Sequence, residues 1–264
     1  MTTHERRQFL FEMLRQQPGL RVLELAQALD VSEGTVRNDL NALEEGGKLK
    51  RVHGGAVLNE PDQFQSHSFD RRHKENVAAK LAIANGAARL VNDGDSIFVD
   101  ASSTSFFFAR ALAARRGLRA VTNGFEVAKE LAKNHSNNVI LLGGVVDYGS
   151  SSVTGLLSER IIAEFHFQKT FLASSGFSLE RGMTEVHLAE AQLKRKVIAS
   201  TQNMFALVDS TKFGKEDLTP FARPEDIFHL FTDCDLSESW AEALRQAGIS
   251  FTSCEKEATA TQND

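Results

Sequence analysis

Residues 32–57 constrain the fold of this chain more than any other stretch. Ser32 is a good helix N-cap, and Val36, Leu40 and Leu43 follow at i, i+4 and i+7, so the spacing predicts one apolar helical stripe over about 33–45. Gly46-Gly47 stops that helix. The next segment, Lys48-Leu49-Lys50-Arg51-Val52-His53-Gly54-Gly55-Ala56-Val57, alternates basic and apolar residues around a Gly-Gly turn, the pattern of a β-hairpin. Upstream, Phe9, Leu10, Met13 and Leu14 recur at helical spacing before Pro18-Gly19, and Leu23, Leu25, Ala26 and Leu29 mark a second short helix. Asp30-Val31-Ser32 forms the turn between the second and third helices. The whole predicts a winged helix-turn-helix over residues 1–58.

A helix about 10–12 Å across fits the roughly 12 Å major groove of DNA, provided its outer face can donate and accept at base edges. Opposite the apolar stripe lie Thr35, Arg37, Asn38 and Asn41, with Ser32 at the helix start. Arg37 suits guanine, and Asn38 or Asn41 suits adenine. Lys48, Lys50, Arg51 and His53 of the hairpin would meet phosphates, which fix register without reading sequence. Asp39 would repel phosphate, so it is expected to support Arg37 or a nearby backbone group. The bland alternative is a helical cap with a solvated charged face; the basic hairpin directly after the capped helix decides against it. Double-stranded DNA is therefore the expected partner.

Net charge does not oppose this. The chain carries −5 overall, yet residues 1–58 hold eight Lys/Arg and eight Asp/Glu, and DNA binding needs a local cationic face rather than a basic total. Other classes are excluded more firmly. Cys234 and Cys254 form no CxxC, which removes a disulfide scaffold or zinc ribbon and points to the cytoplasm. The eight histidines make no HxxxH or HExxH pair, so no metal is expected. No apolar run approaches the roughly 18 residues of a membrane span, and Glu5-Arg6-Arg7 is unlike a secretory leader. A length of 264 residues suits one large domain or two unequal ones.

Residues 59–73 read as a linker, residues 74–254 as a second domain and 255–264 as a polar tail. A long helix is expected from Asp70 to Val91. Apolar runs at 96–100, 119–122, 139–142, 170–173, 205–208 and 227–231 alternate with helical stretches at 106–115, 125–133, 158–165 and 186–201. That alternation predicts an α/β domain with a mostly parallel sheet, since parallel neighbours need crossover connections. Phe106-Phe107-Phe108 reads as core, with one ring able to close over a ligand.

Ligands of such sheets bind beyond the carboxyl ends of the strands. Small, polar residues cluster there: Asp100-Ala101-Ser102-Ser103-Thr104-Ser105, Thr122-Asn123-Gly124, Gly143-Gly144, Ser174-Ser175-Gly176 and Asp209-Ser210-Thr211-Lys212. A hydroxyl-rich loop at a helix N-terminus suits phosphate, and Lys212 would add a point charge. Of Lys194-Arg195-Lys196, Lys194 is the member expected to point inward. Neither GxGxxG nor GxxxxGK[ST] is present, so no nucleotide cofactor is expected.

Two sets of motifs resemble the DeoR family of bacterial transcription regulators. The first is Ser32-Glu33-Gly34-Thr35-Val36-Arg37-Asn38-Asp39-Leu40 with Arg51-Val52-His53-Gly54-Gly55-Ala56. The second is Asp93-Gly94-Asp95-Ser96-Ile97-Phe98 with Asp100 to Thr104, Val121-Thr122-Asn123, Leu142-Gly143-Gly144 and Asp209-Ser210-Thr211-Lys212-Phe213-Gly214. The resemblance spans about residues 4–252. It implies a sensor domain similar to the ribose-5-phosphate isomerase and CoA transferase fold, and a repressor of a carbohydrate operon relieved by a phosphorylated sugar, polyol or related catabolite. Reading two half-sites about 34–36 Å apart needs at least a dimer, so a homo-oligomer is expected. The implied effector residues are Asp100, Ser102, Ser103, Thr104, Thr122, Asn123, Gly143, Gly144, Ser175, Glu185, Lys194, Asp209 and Lys212. Gly34 and Asn38 depart from the family's usual residues, as do Ser102 and Ser103. Ser175 stands for the usual Asp, and Glu185-Val186-His187 for a Thr-Pro-Asp type segment. The rival is a sugar-phosphate isomerase-like enzyme working through Asp100 with Asp209 or Glu185 with Lys194; losing the fourth-loop Asp weakens it. An activator is the third alternative.

Overall fold

The computed structural model describes residues 2–16, 20–45, 49–52, 55–58 and 68–255. They divide into two compact units, 1–66 and 67–264. No helix among them is long and apolar enough to cross a membrane.

The first unit is helical with one hairpin: α1 (Thr3–Gln16), α2 (Val22–Leu29), α3 (Glu33–Glu45), then β1 (Leu49–Val52) paired antiparallel with β2 (Gly55–Leu58). Its core joins Leu10 and Leu14 of α1, Val22 and Leu25 of α2, Val36, Leu40 and Leu43 of α3, and Leu49 and Ala56 of the hairpin. Small units have little interior, so this cluster depends on each helix contributing one apolar stripe. Phe9 and Leu23, which match the helical spacing, face outward instead. Asp30 takes a left-handed conformation at φ 50°, closing α2 so that α3 can begin three residues later. The expected stops at Pro18-Gly19 and Gly46-Gly47 lie outside the described residues.

The second unit opens with α4 (Phe69–Lys74) and α5 (Val77–Ala88), then β3 (Ser96–Val99), α6 (Ser103–Ala111), β4 (Arg119–Thr122), α7 (Phe125–Ala132) and β5 (Asn138–Leu141). The hairpin β6 (Val145–Asp147) and β7 (Ser152–Thr154) precedes α8 (Leu156–Ile162) and β8 (Phe167–Ala173). Then come β9 (Gly176–Ser178), β10 (Gly182–Glu185), α9 (Leu188–Ala199), β11 (Thr201–Leu207), β12 (Thr219–Ala222), β13 (His229–Asp233), α10 (Glu238–Gln246) and β14 (Phe251–Cys254).

A seven-stranded sheet in the order β14-β13-β11-β8-β3-β4-β5 forms the centre, and all its neighbours run parallel. Both faces are covered, as parallel sheets require. One side packs α5, α6 and α7 through Ile83, Phe107, Phe108 and Val127; the other packs α8, α9 and α10 through Ile162, Ala191, Val197 and Leu244. The parallel α/β expectation holds, with each predicted run inside or beside an observed strand. The strand β14 and the small sheets β9-β10-β12 and β6-β7 were not expected.

Two expectations need correction. The predicted helix over 70–91 is broken into α4 and α5, because Asn76 adopts φ 51°, a left-handed conformation that no α-helix continues through. The predicted linker 59–73 also runs too far. Phe69 is buried, stacks at 5.7 Å on His73 and meets Phe106 edge-on at 5.9 Å, and its N–H donates to the Gly149 carbonyl at 2.7 Å. Helix α4 thus belongs to the second unit. Residues 59–67 and the tail beyond Glu255 lie outside the described residues.

Candidate nucleic-acid interface and effector site

Helix α3 buries Val36, Asp39, Leu40 and Leu43 and leaves Arg37, Asn38 and Asn41 exposed. Its start is set by Ser32, whose Oγ accepts from the Thr35 amide at 3.1 Å and bonds the Thr35 hydroxyl at 2.9 Å. Ser32 and Thr35 are therefore engaged with each other in capping. Arg37 Nη2 rests on Glu33 Oε2 at 2.6 Å, a solvent-exposed pair one turn apart. Such pairs contribute about 0–1 kcal/mol, so exchanging Glu33 for a base edge costs Arg37 little.

Asp39 departs from expectation. Its carboxylate accepts from Arg6 Nε at 2.5 Å and Arg7 Nε at 2.9 Å, both on α1, and not from Arg37. Burial alone would raise its pKa, but the two guanidinium bonds hold it below the usual carboxylate range. Asp39 thus clamps α3 to α1. On the hairpin, Arg51 Nη1 donates to Asn41 Oδ1 at 2.5 Å, and the Arg51 amide donates to Glu44 Oε1 at 2.8 Å. The wing is consequently tied to α3, a link that strand alternation does not reveal. Lys50 is exposed beside it. Lys48 and His53 lie outside the described residues.

In the second unit the strand order reverses between β3 and β8: β4 and β5 follow to one side of β3, β11, β13 and β14 to the other side of β8. Ligands of such sheets usually bind at this switch point, and here the segments that follow β3 and β8 are joined, the Ala173 amide donating to Asp100. Asp100, directly after β3, is fully buried. It accepts from the Ser102 amide at 3.1 Å, Ser105 Oγ at 2.5 Å, the Ala173 amide after β8 at 2.9 Å, and Lys194 Nζ at 3.1 Å. Lys194, on α9, also donates to Glu185 Oε2 at 2.5 Å and the Ala173 carbonyl at 2.9 Å, and lies over the Phe221 ring at 4.8 Å. Glu185 accepts in addition from Ser175 Oγ at 2.6 Å.

The charges of this cluster explain one another. Burial pushes against ionisation of Asp100 and Glu185, yet Lys194 and the hydroxyl donors hold both below their ordinary pKa. Burial likewise opposes the Lys194 ammonium, but Glu185, Asp100 and Glu190 together raise its pKa. Glu190, on the same helix one turn earlier, goes the other way: burial raises its pKa, outweighing attraction to Lys194. It accepts from Ser152 Oγ at 2.5 Å and from Asn123 Nδ2 at 3.2 Å, and Ser152 bonds Ser150 at 2.7 Å. Sequence reasoning missed Glu190, Ser150 and Ser152. Leu-Ala-Glu-Ala offers no local sign that its carboxylate turns inward.

A second group flanks this one. Asp209 is buried and accepts from the Thr211 amide at 3.2 Å and from its hydroxyl, while Asn76 Nδ2 donates to Thr211 Oγ1 at 3.3 Å. Lys80 Nζ is buried against the Arg72 and Glu75 carbonyls; burial lowers its pKa to about 8, opposed by Asp209 and reinforced by Lys212 and Arg72. Lys212 is half-buried nearby. Three cations thus converge on one loop end, and of them the sequence reading named only Lys212.

The remaining candidates sort as follows. Ser102 caps α6, accepting from the Ser105 amide at 3.0 Å, and Ser103 and Thr104 are buried in its first turn. Thr122 spends its hydroxyl on the Gly124 amide at 3.0 Å. The Gly143 carbonyl accepts from Ser158 Oγ at 2.7 Å. Gly144 has φ 155°, and a Cβ there would collide with the Thr154 carbonyl and Ser158, so that turn requires glycine. No group of three or more His, Cys, Asp or Glu among the described residues forms a metal site.

A family model covers most of each unit. The DeoR-like helix-turn-helix domain matches residues 6–62, and the DeoR C terminal sensor domain matches residues 75–234. The chain belongs to the DeoR family. Among DeoR relatives it is 36% identical to the HTH-type transcriptional regulator GolR of Listeria innocua, over 94% of this chain and 98% of GolR. It is 32% identical to the lactose phosphotransferase system repressor of Streptococcus mutans, over 89% and 93%. The L-fucose operon activator of Haemophilus influenzae is 33% identical over 92% and 97%. Among solved structures, ribose 5-phosphate isomerase A of Methanocaldococcus jannaschii is similar over 53% of this chain and 55% of that one, with TM-score 0.39 and 18% identity. Nothing about activity follows from a likeness this remote. The DeoR relatives are regulators, so the isomerase alternative is not favoured.

Proposed function

We propose that this chain is a sequence-specific DNA-binding repressor of a carbohydrate-use operon, acting in the cytoplasm as at least a dimer, whose hold on its operator is relieved by a phosphorylated sugar or polyol. The observation that carries the reading is the outer face of α3: Arg37, Asn38 and Asn41 stand free of the core while Val36, Leu40 and Leu43 anchor the opposite face. Residues 1–58 are the DNA-binding domain, with Arg37, Asn38 and Asn41 at base edges and Lys48, Lys50, Arg51 and His53 at phosphates. The domain from α4 to β14 is the sensor. Its crevice between β3 and β8 takes the sugar, and the loop end holding Lys80, Arg72 and Lys212 takes the anion. Reading two half-sites about 34–36 Å apart needs two copies.

Effector and operator are coupled through a difference in affinity between two arrangements, typically about 1–3 kcal/mol or 5–150-fold. The test is fluorescence anisotropy of the full chain with DNA upstream of neighbouring genes, with and without phosphorylated sugars and polyols. One of these compounds is expected to weaken operator binding within that range. Lys212→Ala should abolish that response and leave affinity without the compound intact; an unchanged response removes Lys212 from the site. A second reading, transcriptional activation, is favoured by the L-fucose operon activator among the relatives. A reporter gene separates the two: loss of the chain raises expression for a repressor and lowers it for an activator.

A further inference from the structure

We infer that the β6–β7 hairpin, with the open edge of β5 and the first turn of α8, is the surface through which two copies of this chain associate. Strand β5 ends the central sheet and is exposed along most of its length. Around it, apolar side chains stand in water: Leu141 on β5, Val145 and Val146 on β6, Tyr148 at the hairpin tip, and Leu156 and Leu157 at the start of α8. Val145 is 69% exposed and Tyr148 92%. Gly155 brings the start of α8 against Val145, and Leu157 lies over Gly143, so the hairpin and the first turn of α8 are neighbours. At these exposures the six side chains present on the order of 600 Å² of apolar area. That summed area approaches the roughly 800 Å² each partner gives a standard interface.

The charge pattern selects a second copy as the occupant. From residue 138 to 158 the one charged side chain is Asp147, and its Oδ1 accepts from the Ser150 amide at 3.3 Å within its own turn. A two-fold interface places a patch against itself, so any net charge would meet its like; a neutral apolar patch suits self-pairing. The opposite sheet edge, β14, instead exposes Thr252 and Ser253. Ser152 of the same hairpin donates to Glu190. One short element therefore serves both the association surface and the buried Glu190 cluster.

The surface itself is argued from exposure and charge; the inference rests on the repressor reading only for the need for two copies. Sedimentation velocity of the full chain is expected to give a dimer whose dissociation constant rises at least tenfold in Val146→Glu and in Tyr148→Asp. Leu218→Glu, altering an equally exposed leucine elsewhere, should leave it unchanged. Tyr148 projects almost wholly into solvent, so its variant folds even if the other does not. In the unaltered protein, amide exchange over residues 138–158 should slow as concentration rises through the dissociation constant. A monomeric wild type, a dimer indifferent to both variants, or protection confined to other segments overturns the inference. Operator binding is measured separately: a chain that dimerises here but binds no upstream DNA refutes the repressor reading alone.

Discussion

Lys194→Met is the sharpest perturbation of the buried charge cluster in the second unit. The ammonium sits 3.1 Å from Asp100 and 2.5 Å from Glu185, both buried. Methionine fills the volume but leaves two carboxylates without a counter-charge, and breaking such a buried pair costs about 3–5 kcal/mol. For a unit of this size each kcal/mol moves Tm by roughly 2–4 °C, so a fall of about 6–20 °C is expected in a thermal scan, with a matching loss in urea titration. The pH dependence distinguishes this from lost packing. In the native protein Asp100 and Glu185 have depressed pKa values, so they stabilise the fold above the ordinary carboxylate range and lose that contribution on acidification. Without Lys194, burial raises both, and the sign reverses: the variant is penalised as pH rises. Its deficit should therefore be largest near pH 8 and shrink towards pH 5. Glu185→Gln in the Lys194→Met background should recover part of the loss, because it removes one orphaned charge. A deficit under about 1 kcal/mol, or one independent of pH, would refute the charge argument.

Arg37→Ala should weaken operator binding by roughly 1–3 kcal/mol and relax preference at one base pair, whereas Arg51→Ala should weaken binding to any duplex and flatten the salt slope by about one unit. Equal, sequence-independent losses would mean that α3 is not the reading helix. Because burial depresses Lys80 to about 8, affinity for an anionic effector should fall as pH rises through that value, and Lys80→Met should remove the step in calorimetric titrations. Asp39→Asn keeps the shape but removes the charge that joins Arg6 and Arg7. It should lower the stability of the first unit by about 1–3 kcal/mol, read by urea unfolding, and a neutral result would show the clamp to be ornamental.

The legible parts of this protein are those written in local periodicity. Val36, Leu40 and Leu43 place α3, and the apolar runs alternating with helices place the parallel sheet, because burial of one face leaves a repeating mark. Features that depend on distant partners left none. Asp39 finds its arginines 32 and 33 residues away, and Glu190 finds Ser152 at 38, so neither pairing has a spacing to read. The break at Asn76 was hidden for another reason. The alanine-rich sequence after it is strongly helical, and only an extended Glu75 and a left-handed Asn76 separate α4 from α5. The strand-end clusters could be read from the sequence, yet which of their members bond one another followed only from the strand order.

The sensor-domain family match stops short of the limits of the folded unit. The match covers 75–234, but the Phe69 amide is bound to the Gly149 carbonyl ahead of it, and α10 and β14 supply Leu244 and Cys254 to the interior behind it. A fragment cut at the matched limits would expose the Phe106 ring, strip the outermost strand from β13 and uncover both layers of side chains. Expression trials on this half of the molecule should therefore begin before Ser68 and run past Cys254.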